Sequence, residues 1–338
     1  MIVNVKVIRK LKVHFVRMGI FVPKLILMDL LYIGIGLVLL IVGGDWLLKS
    51  AIGFSLRLKI PKIVIGMTVV SFATSAPELI VSLKSAIQGH SDLAMGNVIG
   101  SNIANLALVL GITVLLSNIK VNKSFFTTDW PIMMLVSLLL YAFIVFDGLL
   151  VAYEGAILFG ALIVFLIYLL KFQKTVVLDD ILEDDEELPL YKSLLYLLIG
   201  GIALWGGSEL LISGAVGLAE QFDVSQRIIG ISIVSIGTSI PELSASIIAV
   251  LKKEKAISLG NLLGSNIFNV LAVLGLTSMV HPIEIVDKGL IENDIYWMLG
   301  VSFLILPLSF FYKKRSFGKL EGVILLGVYT AFLYNMLS

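Results

Sequence analysis

The chain has 338 residues, 58% of them hydrophobic and 14% charged, with a formal net charge of +1. Soluble domains carry about 25% charged residues, so an ordinary soluble globular protein is excluded, and the near-zero charge gives no bulk attraction for nucleic acid or an acidic partner. With no cysteine, disulfides, thiol chemistry and Cys-ligated zinc are excluded too.

Residues 1–24 form a basic N-terminal tail with Lys6, Arg9, Lys10, Lys12, Arg17 and Lys24. The apolar stretch after it, Leu25 to Gly44, is too long for the hydrophobic region of a signal peptide and lacks a small-residue cleavage site. It reads as a first transmembrane helix. Two readings of the tail stand side by side. It is an interfacial amphipathic helix, or it reflects a start assigned too early, with Met18 and Met28 as alternatives.

Ten apolar segments are expected, at about 25–48, 61–87, 93–116, 130–147, 151–171, 193–216, 227–251, 256–280, 295–312 and 318–337. Residues 172–192 interrupt them with Asp179, Asp180, Glu183, Asp184, Asp185, Glu186 and Glu187. This acidic stretch lacks the alternating spacing of a calcium loop and reads as a solvated cytoplasmic linker. It divides the chain into a first five-helix repeat, 25–171, and a second, 193–338.

Internal repetition is the strongest signal. Residues 66–82, GMTVVSFATSAPELIVS, align with 230–246, GISIVSIGTSIPELSAS. Residues 96–111, GNVIGSNIANLALVLG, align with 260–275, GNLLGSNIFNVLAVLG, at the same offset (230 − 66 = 260 − 96 = 164). Shared hydrophobicity does not explain matching Ser, Thr, Asn, Pro and Glu. Each repeat has an odd number of crossings, so the second copy enters the membrane from the opposite side. Inverted repeats of this kind place substrate sites near the midplane, on interrupted helices. Lysine and arginine concentrate in the loops on the linker's side, whereas the other side holds Lys84, Arg227 and Lys288. That bias puts the linker inside and both termini outside, although the basic tail then opposes the rule.

Glu78 and Glu242 lie deep in the second and seventh segments. A charge at the bilayer centre costs roughly 2.5–3.5 kcal/mol on insertion scales, so two at equivalent positions point to function. Each follows a proline, in T-S-A-P-E and T-S-I-P-E. Proline clashes with the carbonyl four residues earlier. The carbonyls of Ala73 and Gly237 are therefore expected to be freed toward a cavity or an ion. Thr74 and Ser75 precede Glu78 by four and three residues and lie near its face, with Ser71 one turn earlier. Thr238, Ser239 and Ser235 repeat the pattern before Glu242.

The partner motif G-N-x-x-G-S-N-I-x-N sets Ser101 and Asn105 four apart on one face, and likewise Ser265 and Asn269. Gly96 with Gly100, and Gly260 with Gly264, are expected to bring the third segment close to the second and the eighth close to the seventh. Asn97, Asn102, Asn261 and Asn266 read as hydrogen-bonding links between helices. All candidate ligands are oxygen donors, which favours hard cations such as Ca²⁺, Mg²⁺ or Na⁺ over zinc or copper. Two carboxylates match one divalent charge or hold several monovalent ions, the physical basis for exchange. No enzymatic role and no cofactor is expected; the ions and the lipid bilayer are the partners.

These two blocks resemble the alpha-repeats of the cation/calcium exchanger superfamily, most closely its prokaryotic sodium/calcium exchangers. The motifs are specific over 66–111 and 230–275, and the ten-segment layout extends the resemblance over about 25–337. It implies an all-α membrane protein of ten transmembrane helices in two inverted five-helix repeats. It implies a monomer in the cell membrane moving Ca²⁺ outward against Na⁺. Glu78 and Glu242 would then ligate Ca²⁺ with the carbonyls of Thr74 and Thr238. Na⁺ sites would use Ser75 and Ser101 in one half and Ser239 and Ser265 in the other, with carbonyls of Ser71 and Ser235. Asn105 would complete the centre, with Asn269 as its mate.

Several relatives carry Asp where this chain has Asn269, and Ala73 stands where Gly is usual. The site is thus more symmetric and has one fewer acid, which argues against a potassium-dependent mode. A proton-coupled exchanger on the same scaffold is the alternative, since buried glutamates also carry H⁺. An intramembrane protease would want paired aspartates or a Ser–His or Ser–Lys pair, and none falls in these motifs.

Overall fold

The computed structural model describes residues 5–172, 188–222, 237–311 and 315–337, and side chains from residue 26 onward except at 220 and 337. The acidic run 179–187, Arg227 and Ser235 lie outside the described residues.

Eleven helices are described: α1 Val5–Leu58, α2 Lys62–Thr74, α3 Ala76–Ile87, α4 Ser91–Leu116, α5 Phe125–Ile144, α6 Ala152–Phe172, α7 Leu190–Gln221, α8 Ile240–Leu251, α9 Lys255–Val280, α10 Leu290–Phe311 and α11 Lys319–Leu337. Helix is what lipid demands, because each backbone group then finds its partner within its own segment. Among the described residues seven helices are long and apolar enough to cross a membrane, or eight if α2 and α3 form one bent span. Of the ten expected segments, 227–251 is described only as the short helix α8, and 318–337 is α11. Large apolar side chains such as Leu27, Ile41, Phe72, Leu135, Val164, Ile202 and Phe303 face outward. Such an apolar exterior suits a lipid environment and not water. The expected first segment is longer than its hydropathy suggested: α1 runs unbroken from Val5, through the basic tail, to Leu58.

Two short ribbons fix helix directions. Strand β1 (Ile119–Lys120) precedes α5, and β2 (Leu149–Leu150) follows it. Strand β3 (Ile283–Glu284) precedes α10, and β4 (Ser316–Phe317) follows it. β1 pairs with β4, matching Ile119 to Phe317, and β2 pairs with β3, matching Leu150 to Ile283. The start of α5 is thus tied to the end of α10, and the reverse, so these two helices run antiparallel.

Helices α1 and α7 form a second antiparallel pair, joined by glycines. A methyl group on Gly36 would sit 2.8 Å from the Gly207 carbonyl, and one on Gly43 would sit 2.9 Å from that of Gly200. Only glycine lets the backbones approach so closely. Trp46 stacks on Tyr196 at 6.2 Å in the same seam. At the centre stand α4 and α9, the two most enclosed spans.

Candidate ion-binding site

The site begins with the break that proline imposes. Pro77 and Pro241 occupy the first turns of α3 and α8. Just before them the chain leaves helical geometry at Ser75 (φ −88°, ψ 2°) and Ser239 (φ −89°, ψ 3°). The bend between α2 and α3 is 44°. Helical bonding resumes with Leu79 N donating to Ser75 O at 3.2 Å and Leu243 N donating to Ser239 O at 3.0 Å. Both glutamates therefore lie in the first turn of a new helix, where the positive end of its dipole favours an anion.

Glu78 and Glu242 are fully buried. Neither oxygen of either group has a hydrogen bond of normal geometry, although the hydroxyls of Thr74, Ser75 and Ser265 lie close to the Glu242 carboxylate. Ser75 Oγ, Ser239 Oγ, Asn105 Oδ1 and Asn269 Oδ1 are buried without such a bond as well. These atoms form three pairs at the repeat offset. Buried polar atoms are normally satisfied, and a buried unpaired carboxylate is among the costliest groups to leave so. A cluster of buried carboxylate, hydroxyl and amide oxygens suits a hard cation as its ligand set.

The remaining polar residues knit the repeats together. Thr74 Oγ1 meets Ser265 Oγ at 3.3 Å, and Thr238 Oγ1 meets Ser101 Oγ at 3.2 Å. Both pairs cross from one repeat to the other, whereas the resemblance groups Ser75 with Ser101 and Ser239 with Ser265 within a half. Glu242 draws hydroxyls from both repeats: Thr74 and Ser75 from the first flank it together with Ser265 from its own. Sequence proximity had suggested that each glutamate keeps its own half's Thr and Ser.

Two further expectations are corrected. Ser208 Oγ on α7 donates to the Gly237 carbonyl at 2.8 Å, so that freed group is capped by a side chain. The eighth segment packs on the seventh, as expected, but its glycines approach the second. Gly260 abuts the backbone of Ile63 and Met67, and Gly264 abuts Met67 and Ser71. Ser71 Oγ donates to Asn261 O at 2.9 Å in this contact, and Ser71 O accepts from Ser75 N at 2.8 Å.

Each motif asparagine links helices. Asn97 Nδ2 donates to Ser82 Oγ at 2.9 Å, and Asn261 Oδ1 accepts from Thr74 Oγ1 at 3.1 Å. Asn102 and Asn266 bond reciprocally, each amide nitrogen donating to the other's backbone carbonyl at 3.2 Å.

Two features have no simple sequence signal. Both α4 and α9 carry a π-turn at the third motif asparagine, over Ala104–Val109 and Asn269–Leu274. Such turns are rare and cluster at functional sites. A buried ion pair joins Lys62 Nζ to Glu254 Oε1 at 2.8 Å, at the ends of α2 and α9.

CaxA of Alkalimonas amylolytica is 38% identical over 315 residues, 91% of this chain and 98% of CaxA. The sodium/calcium exchanger MaX1 of Methanosarcina acetivorans is 29% identical, over 91% of this chain and 98% of MaX1. Among solved structures, that of the sodium-calcium exchanger NCX_Mj superposes with a TM-score of 0.78 at 27% identity, covering 91% of this chain and 98% of NCX_Mj. The sodium/calcium exchanger protein family matches residues 28–171 and 192–338. Paired motifs, an apolar multi-pass helical exterior and a match across nearly the whole chain lead to one conclusion: this membrane protein belongs to the sodium/calcium exchanger family.

Proposed function

We propose that the chain is a secondary-active antiporter that exchanges Na⁺ for Ca²⁺ across the cell membrane by alternating access, with both ions bound around Glu78 and Glu242. One observation carries this reading. The oxygens of Glu78, Glu242, Ser75, Ser239, Asn105 and Asn269 are all buried and lack hydrogen bonds of normal geometry. Glu78 and Glu242 supply the charge that balances Ca²⁺. Ca²⁺ takes about 6–8 oxygens, so neutral acceptors are needed too, and the carbonyls of Thr74 and Thr238 join Asn105 and Asn269 in that role. Ser75, Ser101, Ser239 and Ser265, with the carbonyls of Ser71 and Ser235, hold Na⁺ when Ca²⁺ has left.

The scaffold for this exchange is ten spans in two inverted repeats, 25–171 and 193–338, with 172–192 on the cytoplasmic side. The antiparallel courses of α1 against α7 and of α5 against α10 support it. One chain holds both members of every ligand pair, so a monomer suffices.

A proton-coupled exchange would use the same carboxylates. The hydroxyl and amide acceptors favour a metal counter-ion, because a proton needs no such shell. Proteoliposomes loaded with Na⁺ are expected to take up ⁴⁵Ca²⁺ when diluted into Na⁺-free medium. Uptake driven by a pH gradient and indifferent to Na⁺ would overturn the sodium reading.

A further inference from the structure

Four asparagines at the centre form a closed set of hydrogen bonds. An amide side chain offers an acceptor oxygen on one side and a two-proton donor on the other. Turned end for end, it presents N–H groups where a cation needs oxygen. Nothing in Asn105 or Asn269 itself prevents that turn, but their neighbours do. Asn105 Nδ2 donates to Asn266 Oδ1 at 3.2 Å, and Asn269 Nδ2 donates to Asn102 Oδ1 at 3.1 Å. Those two acceptors are held in turn. Asn102 Nδ2 donates to Asn266 O, and Asn266 Nδ2 donates to Asn102 O, both at 3.2 Å. All four residues are buried. The polar atoms then left over on Asn105 and Asn269 are their Oδ1 oxygens, without a partner.

We infer that Asn102 and Asn266 are positioning residues, each of which orients the ligand asparagine of the opposite repeat so that its oxygen faces the ion. Asn266 of the second repeat sets Asn105 of the first, and Asn102 sets Asn269. The inference rests on reading Asn105 and Asn269 as cation ligands. It goes beyond that reading in making each repeat's ligand depend on the other repeat.

A double-variant cycle on the full-length protein in detergent tests it, read by equilibrium ⁴⁵Ca²⁺ binding. Asn266→Leu removes the acceptor that holds Asn105 and is expected to weaken Ca²⁺ binding about tenfold. In an Asn105→Asp background either orientation presents an oxygen, so the same Asn266→Leu change is expected to cost less than about twofold. A residue that merely packs helices together would cost the same in both backgrounds, and equal losses would overturn the inference while leaving the ligand reading intact. Unchanged Ca²⁺ binding by Asn105→Ala would overturn the ligand reading, and the inference with it. Where Asn266→Leu does not give monodisperse protein, Asn102→Leu with Asn269→Asp forms the mirror cycle, with the same two outcomes.

Discussion

The centre of the molecule and the start of α2 obey different rules. At the centre, contacts come in matched images: Thr74 with Ser265 and Thr238 with Ser101, Asn102 with Asn266 in both directions. At the start of α2, Lys62 pairs with Glu254, but the positions one repeat away hold Gln226 and His90. No second copy of that ion pair is possible. In the proposed alternating-access exchange one site is visited from both faces, which would hold both repeats to the same ligands. The two ends would serve different openings and be free to diverge.

The comparison can be broken at four places, ordered by expected effect. Glu78→Gln and Glu242→Gln should each reduce ⁴⁵Ca²⁺ exchange in proteoliposomes by a hundredfold or more, on the order of 3 kcal/mol, with folding intact by size-exclusion chromatography. Retained exchange in one of the two would mean that the centre is less symmetric than its contacts. Next, Lys62→Met removes the buried ammonium that pairs with Glu254 and should lower stability by about 3 kcal/mol. Thermal unfolding in detergent reads this, and Lys62→Met with Glu254→Leu should recover most of the loss. His90→Ala, at the repeat-mate of Glu254, should leave the melting temperature within a degree or two, as surface changes of about ±0.5 kcal/mol do.

Third, Ser75→Ala and Ser239→Ala should each raise the Na⁺ concentration for half-maximal exchange several-fold, about 1 kcal/mol apiece. Unequal shifts would locate an asymmetry that the hydrogen bonds do not reveal. The smallest effect belongs to Asp45, which pairs with Lys49 at 2.8 Å and with Lys252 in a partly exposed position. Asp45→Asn should alter stability by less than about 1 kcal/mol, and less still in high salt.

Much of this was legible in the sequence, for identifiable reasons. The proline before each glutamate announces a break, and the structure breaks at Ser75 and Ser239. The repeat offset names equivalent residues. Equivalence is not contact, however. An alignment says that Thr74 and Thr238 are mates, yet it is silent on whether Thr74 meets its own half's serine or the other's. That choice depends on how α9 packs against α2, through Gly260 and Gly264 on Ile63 and Met67. The Lys62–Glu254 pair was hidden for a similar reason: its members sit in separate connections 192 residues apart. The π-turns leave no hydropathy trace, because one extra residue barely alters the apolar count of a span.

Those π-turns make chain length part of the ligand set. A π-turn accommodates one more residue than an α-helical turn, so the stretch after Val109 is rotated about 100° from where a straight helix would carry it. Removing one residue from 106–109, beyond Asn105, would leave every named ligand in the sequence and restore regular helix. It would also swing Gly111, where an added methyl group would sit 3.0 Å from Leu326 of α11, away from that neighbour relative to Ser101. The identity of a ligand survives such a deletion, but its address does not.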